Sequence, residues 1–133
     1  MKKFFLMLFV VAFSLNFVQC TKHSHNDGEP IELNAGEKWK VNEEMKPFVI
    51  TSEEMLQDYD GDYALLAQNL KDQNAKLIKS CTMEGKSHDE LHKWLHPHME
   101  IVKELENAPD AAQADKVVKK LEGSFQTYHT YFE

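Results

Sequence analysis

Four of the chain's seven histidines fall within eleven positions, in the stretch "HDELHKWLHPHM". His88 and His92 stand four residues apart, one turn of an α-helix, so both imidazoles can face a single ion. A helix N-terminus carries partial positive charge and disfavours imidazolium at His88, and neutral imidazole is the form that binds metal. Just upstream, "CTM" supplies two sulfur donors, Cys81 and Met83. Soft sulfur favours copper(I), whereas histidines alone admit zinc, copper or nickel. The residue types therefore point to a transition-metal site built from His88, His92, Cys81 and Met83. His96 is expected to face away from the apolar centre, at the surface. His98 is expected to be a hydrogen-bonded core histidine.

Other chemistry fits less well. "HDELH" has the histidine spacing of a metalloprotease helix, but Asp89 replaces the longer glutamate such a site needs as general base. A di-iron bundle needs Glu-x-x-His on two helices; Asp89 with His92 is a weak half, and Gln126 with His129 fails. In "DYDGD", Gly61 falls one place too early for a calcium loop and no closing glutamate follows, so it reads as a turn. No enzymatic constellation emerges, and the expected role is binding.

Four helical segments must position these groups. The first spans residues 42–59, with Asn42 as N-cap, a bend at Pro47 and an apolar stripe through Val41, Met45, Phe48 and Met55. The second opens at Asp62 and buries Leu66, Leu70, Leu77 and Cys81. Ser87 and Glu90 form a capping box that makes His88 the first residue of the third helix. That helix buries Leu91, Leu95, Val102 and Leu105 and is kinked by Pro97. Asp110 caps the fourth, which buries Ala114, Val117, Val118, Leu121, Phe125, Tyr128 and Phe132. Segments of similar length joined by short turns predict an all-α fold, an up-down-up-down four-helix bundle over residues 38–133. That topology gathers Met45, Cys81, Met83, His88, His92 and His129 at one pole.

The chain's beginning reads as an address. Lys2 and Lys3 precede an apolar run over residues 4–17, too short for a comfortable membrane span. The run ends at Cys20 and resembles a bacterial lipoprotein signal, which implies removal of residues 1–19 and lipidation at Cys20. Only one other cysteine, Cys81, exists. Residues 20–37 then read as the lipidated cysteine and a flexible tether, with His23 and His25 as solvated linker groups. All fifteen basic residues are lysines, and the formal net charge is −7. That balance argues against a nucleic-acid partner.

Two resemblances extend this reading. A bundle with a methionine in its first helix and "TYHTYF" in its last resembles the soluble periplasmic b-type cytochromes. That likeness implies non-covalent haem b with Met45 and His129 as axial ligands; no C-x-x-C-H is present for covalent attachment. The segments "GEKWKV", "CTMEGKSHDELHKWL" and "YFE" resemble small bacterial envelope lipoproteins. This second likeness implies a helical periplasmic or surface lipoprotein and no established activity. The chain is further expected to be anchored at the outer membrane, as monomer or homodimer, with an envelope protein as candidate partner. The expectation is an envelope lipoprotein holding copper or zinc, with His129 as a further ligand, for sequestration, sensing or delivery. The alternatives are a haem electron carrier and a ligand-free structural or interaction module.

Overall fold

A computed structural model of the chain describes residues 28–133. The expected signal segment over residues 1–19, Cys20, His23 and His25 lie outside the described residues. Four α-helices follow in order: α1 Lys46–Gln57, α2 Tyr63–Ser80, α3 Gly85–Glu106 and α4 Ala111–Tyr131. Each packs on its neighbour in sequence, and α1 closes the ring against α4. The fold is all-α, a four-helix bundle, with no strand among the described residues. No helix among the described residues is long and apolar enough to cross a membrane.

The apolar stripes explain the packing. Leu70, Leu105, Ala114 and Leu121 are fully buried, and Met45, Leu91, Val102, Val117 and Phe132 nearly so. Burying one such aliphatic or aromatic side chain stabilises by about 1.5–3 kcal/mol. Helix starts follow local chemistry. Asp62 accepts from the Leu65 amide at 3.0 Å, and Asp110 accepts from the Gln113 amide at 2.8 Å. Both satisfy a donor that the helix leaves unpaired.

α1 is shorter than the sequence suggests. It starts at Lys46 rather than Asn42, and Pro47 sits in its first turn, where a missing N–H costs nothing and no bend is needed. Asn42 is occupied elsewhere. Its Nδ2 donates to the Ser80 carbonyl at 3.0 Å, and its Oδ1 accepts from the Thr82 amide at 3.2 Å. The side chain expected to open α1 instead closes α2. That contact sets the start of α1 beside the end of α2.

α3 also departs from expectation. Its N-cap is Glu84, which makes no side-chain capping bond, and Ser87 donates to the Glu84 carbonyl at 3.1 Å instead of forming a capping box. Gly85 enters the helix with φ +65°, a conformation that costs other residues about 1–2 kcal/mol. Glu90 is buried by a different partner, described below. The helix runs through Pro97 without a break, so the proline does not divide the histidine run.

The segment before α1 is held to the bundle. Trp39 and Phe132 form a parallel bridge, with the Trp39 amide donating to the Tyr131 carbonyl at 2.8 Å and the Glu133 amide donating to the Trp39 carbonyl at 2.9 Å. Upstream, the Glu32 amide donates to Glu90 Oε2 at 2.9 Å, and Lys93 Nζ reaches the Pro30 carbonyl at 3.3 Å. Residues 28–39 thus form a strap lying along α3, where a free tether was expected through residue 37. It descends from Trp39, beneath Lys86, past Glu90 and Lys93, to Gly28 near His96.

Candidate functional site: an imidazole row on α3

α3 carries its first three histidines at positions i, i+4 and i+8, and the structure joins them in series. His88 Nε2 lies 2.9 Å from His92 Nε2, and His92 Nδ1 lies 2.9 Å from His96 Nε2. The ring pairs meet edge to face, with centroids 4.4 and 4.8 Å apart. All three side chains are half-buried on the flank of the helix. His96 is therefore a member of the row rather than an isolated surface group. The helix is unbroken through Pro97 and keeps the four-residue repeat.

A nitrogen separation of 2.9 Å is hydrogen-bond distance, so each link shares one proton. It is also close to what a metal requires. Zinc–nitrogen bonds of about 2.0–2.1 Å place two ligands of a tetrahedral ion roughly 3.3 Å apart. Opening either link by a few tenths of an ångström, within small side-chain rotations, makes room for an ion in place of the proton. The row meets in pairs through different nitrogens of His92, not at one point. Among the described residues, no group of three or more His, Cys, Asp or Glu side chains is arranged to hold a metal ion.

The other expected ligands are placed elsewhere. Cys81 is a free, half-buried thiol at the end of α2, and it packs with Met83 against the apolar core. Met45 is 1% exposed within that core. His129 is exposed on α4, and its Nε2 lies 2.7 Å from Glu53 Oε1 on α1. The two residues expected to clamp a haem thus sit in opposite surroundings, one inside a filled core and one at the surface against Glu53. The residues present do not fit an axial haem pair.

His98 is the core histidine expected. It is 1% exposed, stacks on Trp94 with centroids 4.8 Å apart, and shares a 2.9 Å hydrogen bond between Nδ1 and Ser124 Oγ. Trp94 donates to the Ser124 carbonyl at 2.8 Å. Both aromatic rings thereby dock on one residue of α4. Burial pushes the His98 imidazole down to about 4, so it is neutral, and its Nε2 is buried without a partner.

Sequence reasoning did not foresee Glu90 and Lys93. Glu90 is 2% exposed, with Lys93 Nζ at 2.9 Å. Burial alone would raise the Glu90 carboxyl, but the Glu32 amide and Lys93 outweigh it and hold the group below the usual carboxylate range. The hydrogen bond to Glu90 in turn raises Lys93. The pair fastens the strap. The sequence signal for it was a glutamate one position before Leu91 on the apolar side of the helix.

Comparison of the chain with protein-family models, with curated proteins and with solved structures gave no match.

Proposed function

We propose that this protein is a lipid-anchored protein of the bacterial envelope that binds a transition-metal ion, copper or zinc, through the imidazole row of α3. The observation that carries the reading is the pair of 2.9 Å nitrogen separations meeting at His92. Three imidazoles held on one rigid helix form a preorganised donor set, and metal binding displaces their shared protons. The role is sequestration, sensing or delivery of the ion. Anchoring through Cys20 and an envelope location rest on the lipoprotein-like beginning of the chain. Nitrogen donors favour zinc or copper(II); Cys81 and Met83 would add copper(I) selectivity only by turning away from the core they now pack against.

The test is metal content after loading and dialysis. The full chain should retain a stoichiometric ion, and His88→Ala with His92→Ala should lose it. Protein that retains none under zinc and copper alike would instead be the ligand-free interaction module.

A further inference from the structure

Each link of the row offers an ion two imidazole nitrogens, and a tetrahedral zinc ion takes four ligands. Among the described residues, no group of three His, Cys, Asp or Glu side chains converges to supply the rest. The surface that continues from His96 carries a second signal. His96, Pro97, Met99 and Glu100 line a groove of about 410 Å³ with Gly28, and Met99 and Glu100 also line a second groove of about 460 Å³ between α2 and α3. Ile78 of α2, 47% exposed, borders that second groove, and Met99 is 38% exposed. Contiguous apolar surface of this kind, rimmed by polar groups, marks a contact with another molecule. The charged rim bears on which molecule. Lys71 pairs with Glu106 at 2.6 Å and Lys103 with Glu100 at 3.7 Å, so two lysines stand beside two glutamates. The chain as a whole carries a net charge of −7. A cationic partner would seek acidic surface elsewhere on the molecule. A rim of both signs is self-complementary, as the contact of two identical chains about a twofold axis requires.

We propose that the α3 rows of two copies of this chain share one zinc ion, each giving His92 Nδ1 and His96 Nε2, with the copies seated on each other along the groove beside Met99. The inference rests on the reading that the α3 row binds metal, and it adds the partner that completes the site. The two nitrogens stand 2.9 Å apart in the single chain. Two such pairs set crosswise about a twofold axis give the four nitrogen ligands of a tetrahedral ion. Of the row's two links this one borders the groove, because His96 lines it, so ligation and apolar contact reinforce each other. Ligation through Nδ1 leaves His92 Nε2–H to donate to His88 Nε2, 2.9 Å away. His88 is then a positioning residue that holds the ring of a ligand. Because the ion belongs to neither chain alone, zinc drives pairing, and pairing strengthens zinc binding by the same factor. Occupancy of the site is thereby read out as a change of assembly, the behaviour of a sensor.

The experiment takes the full-length chain in detergent and sets free Zn²⁺ with a chelator buffer. It measures zinc occupancy and, by native mass spectrometry, the number of chains. Two chains should carry one zinc ion, and EDTA should return single chains. With two chains per ion, mass action lowers the free-zinc midpoint about tenfold for a tenfold rise in protein concentration. His92→Ala with His96→Ala should abolish both zinc retention and pairing. Met99→Glu, which buries a carboxylate in the apolar contact, should raise the midpoint on the order of tenfold. Zinc bound by single chains, with a midpoint independent of protein concentration, overturns this inference and leaves the row as a metal site within one chain. Chains that stay paired in EDTA overturn it as well, and an unchanged midpoint in Met99→Glu overturns the seating on this groove. If the parent chain retains no zinc, or the row variant retains it in full, this inference and the metal reading both fall. Circular dichroism of each variant separates a lost ligand from a lost fold.

Discussion

His92 Nδ1 stands 2.9 Å from His96 Nε2, across the single helical turn that contains Trp94 and precedes Pro97. The same helix turn presents Trp94 and Leu95 to the core. The imidazole row is therefore fixed by the packing that fixes the bundle: α3 cannot rotate to disperse its histidines without exposing its apolar stripe.

His98 should make stability depend on pH. Its folded value is lowered to about 4 from an ordinary 6.5, so between these values the unfolded chain binds more protons than the folded one. The contribution is fully present above about pH 6.5 and is lost as pH falls toward 4. The loss amounts to about 3 kcal/mol. Urea midpoints measured from pH 7 to 4 should show this slope, and His98→Leu should flatten the part between 6.5 and 4. An unchanged slope in His98→Leu would assign the dependence to carboxylates.

The strap should open in acid. Glu90 is held below the ordinary carboxylate value, so its contribution is present above about pH 4.5 and is lost as pH falls through the lowered folded value. At neutral pH, Glu90→Ala removes the acceptor of the Glu32 amide and the partner of Lys93. Hydrogen exchange at the Glu32 amide should accelerate by one to two orders of magnitude, as expected for a local opening made about 1.4–2.7 kcal/mol easier. Exchange at Leu105, in the core of α3, should remain slow.

Asn42 should behave as a clamp between helices rather than as a cap. Asn42→Ala removes the bonds to Ser80 and Thr82 and should destabilise the bundle by about 1–2 kcal/mol. Asn42→Ser, which offers a capping hydroxyl but not the reach to α2, should rescue little. Full rescue by serine in thermal unfolding would return Asn42 to the capping role.

The turn at Asn34–Glu37 carries a correctable strain. Ala35 has φ +54° and Gly36 φ +93°, and the Asn34 and Glu37 backbones exchange hydrogen bonds of 2.8 and 3.0 Å. Two successive positive φ values define the hairpin turn that favours Asn-Gly. Ala35→Asn should stabilise the chain by up to about 1 kcal/mol, read as a rise in the urea midpoint.

The helices and their apolar faces were legible because periodicity and turn chemistry agree, as at Asp62 and Asp110. The ligand set was less so. Cys81 and Met83 share a pole with His88, but burial of sulfur competes with ligation, and the core took both. His96 was missed because it faces away from the apolar centre, where a surface group is expected, yet it is half-buried beside His92. The strap was unreadable for a different reason. Its polar composition matches a tether, and its attachment depends on a buried glutamate 58 residues away in sequence, a contact no local pattern encodes.

The central claim is that one ion enters the α3 row. It is tested most directly by two-bond ¹H–¹⁵N correlation spectra of the imidazoles during Zn²⁺ addition. With one equivalent, the ring nitrogens of His92 and of a row neighbour, His88 or His96, should move to metal-bound positions together, while His98 and His129 stay where they are. If no ring nitrogen of His88, His92 or His96 responds, or if His129 moves in their place, the row is not the metal site.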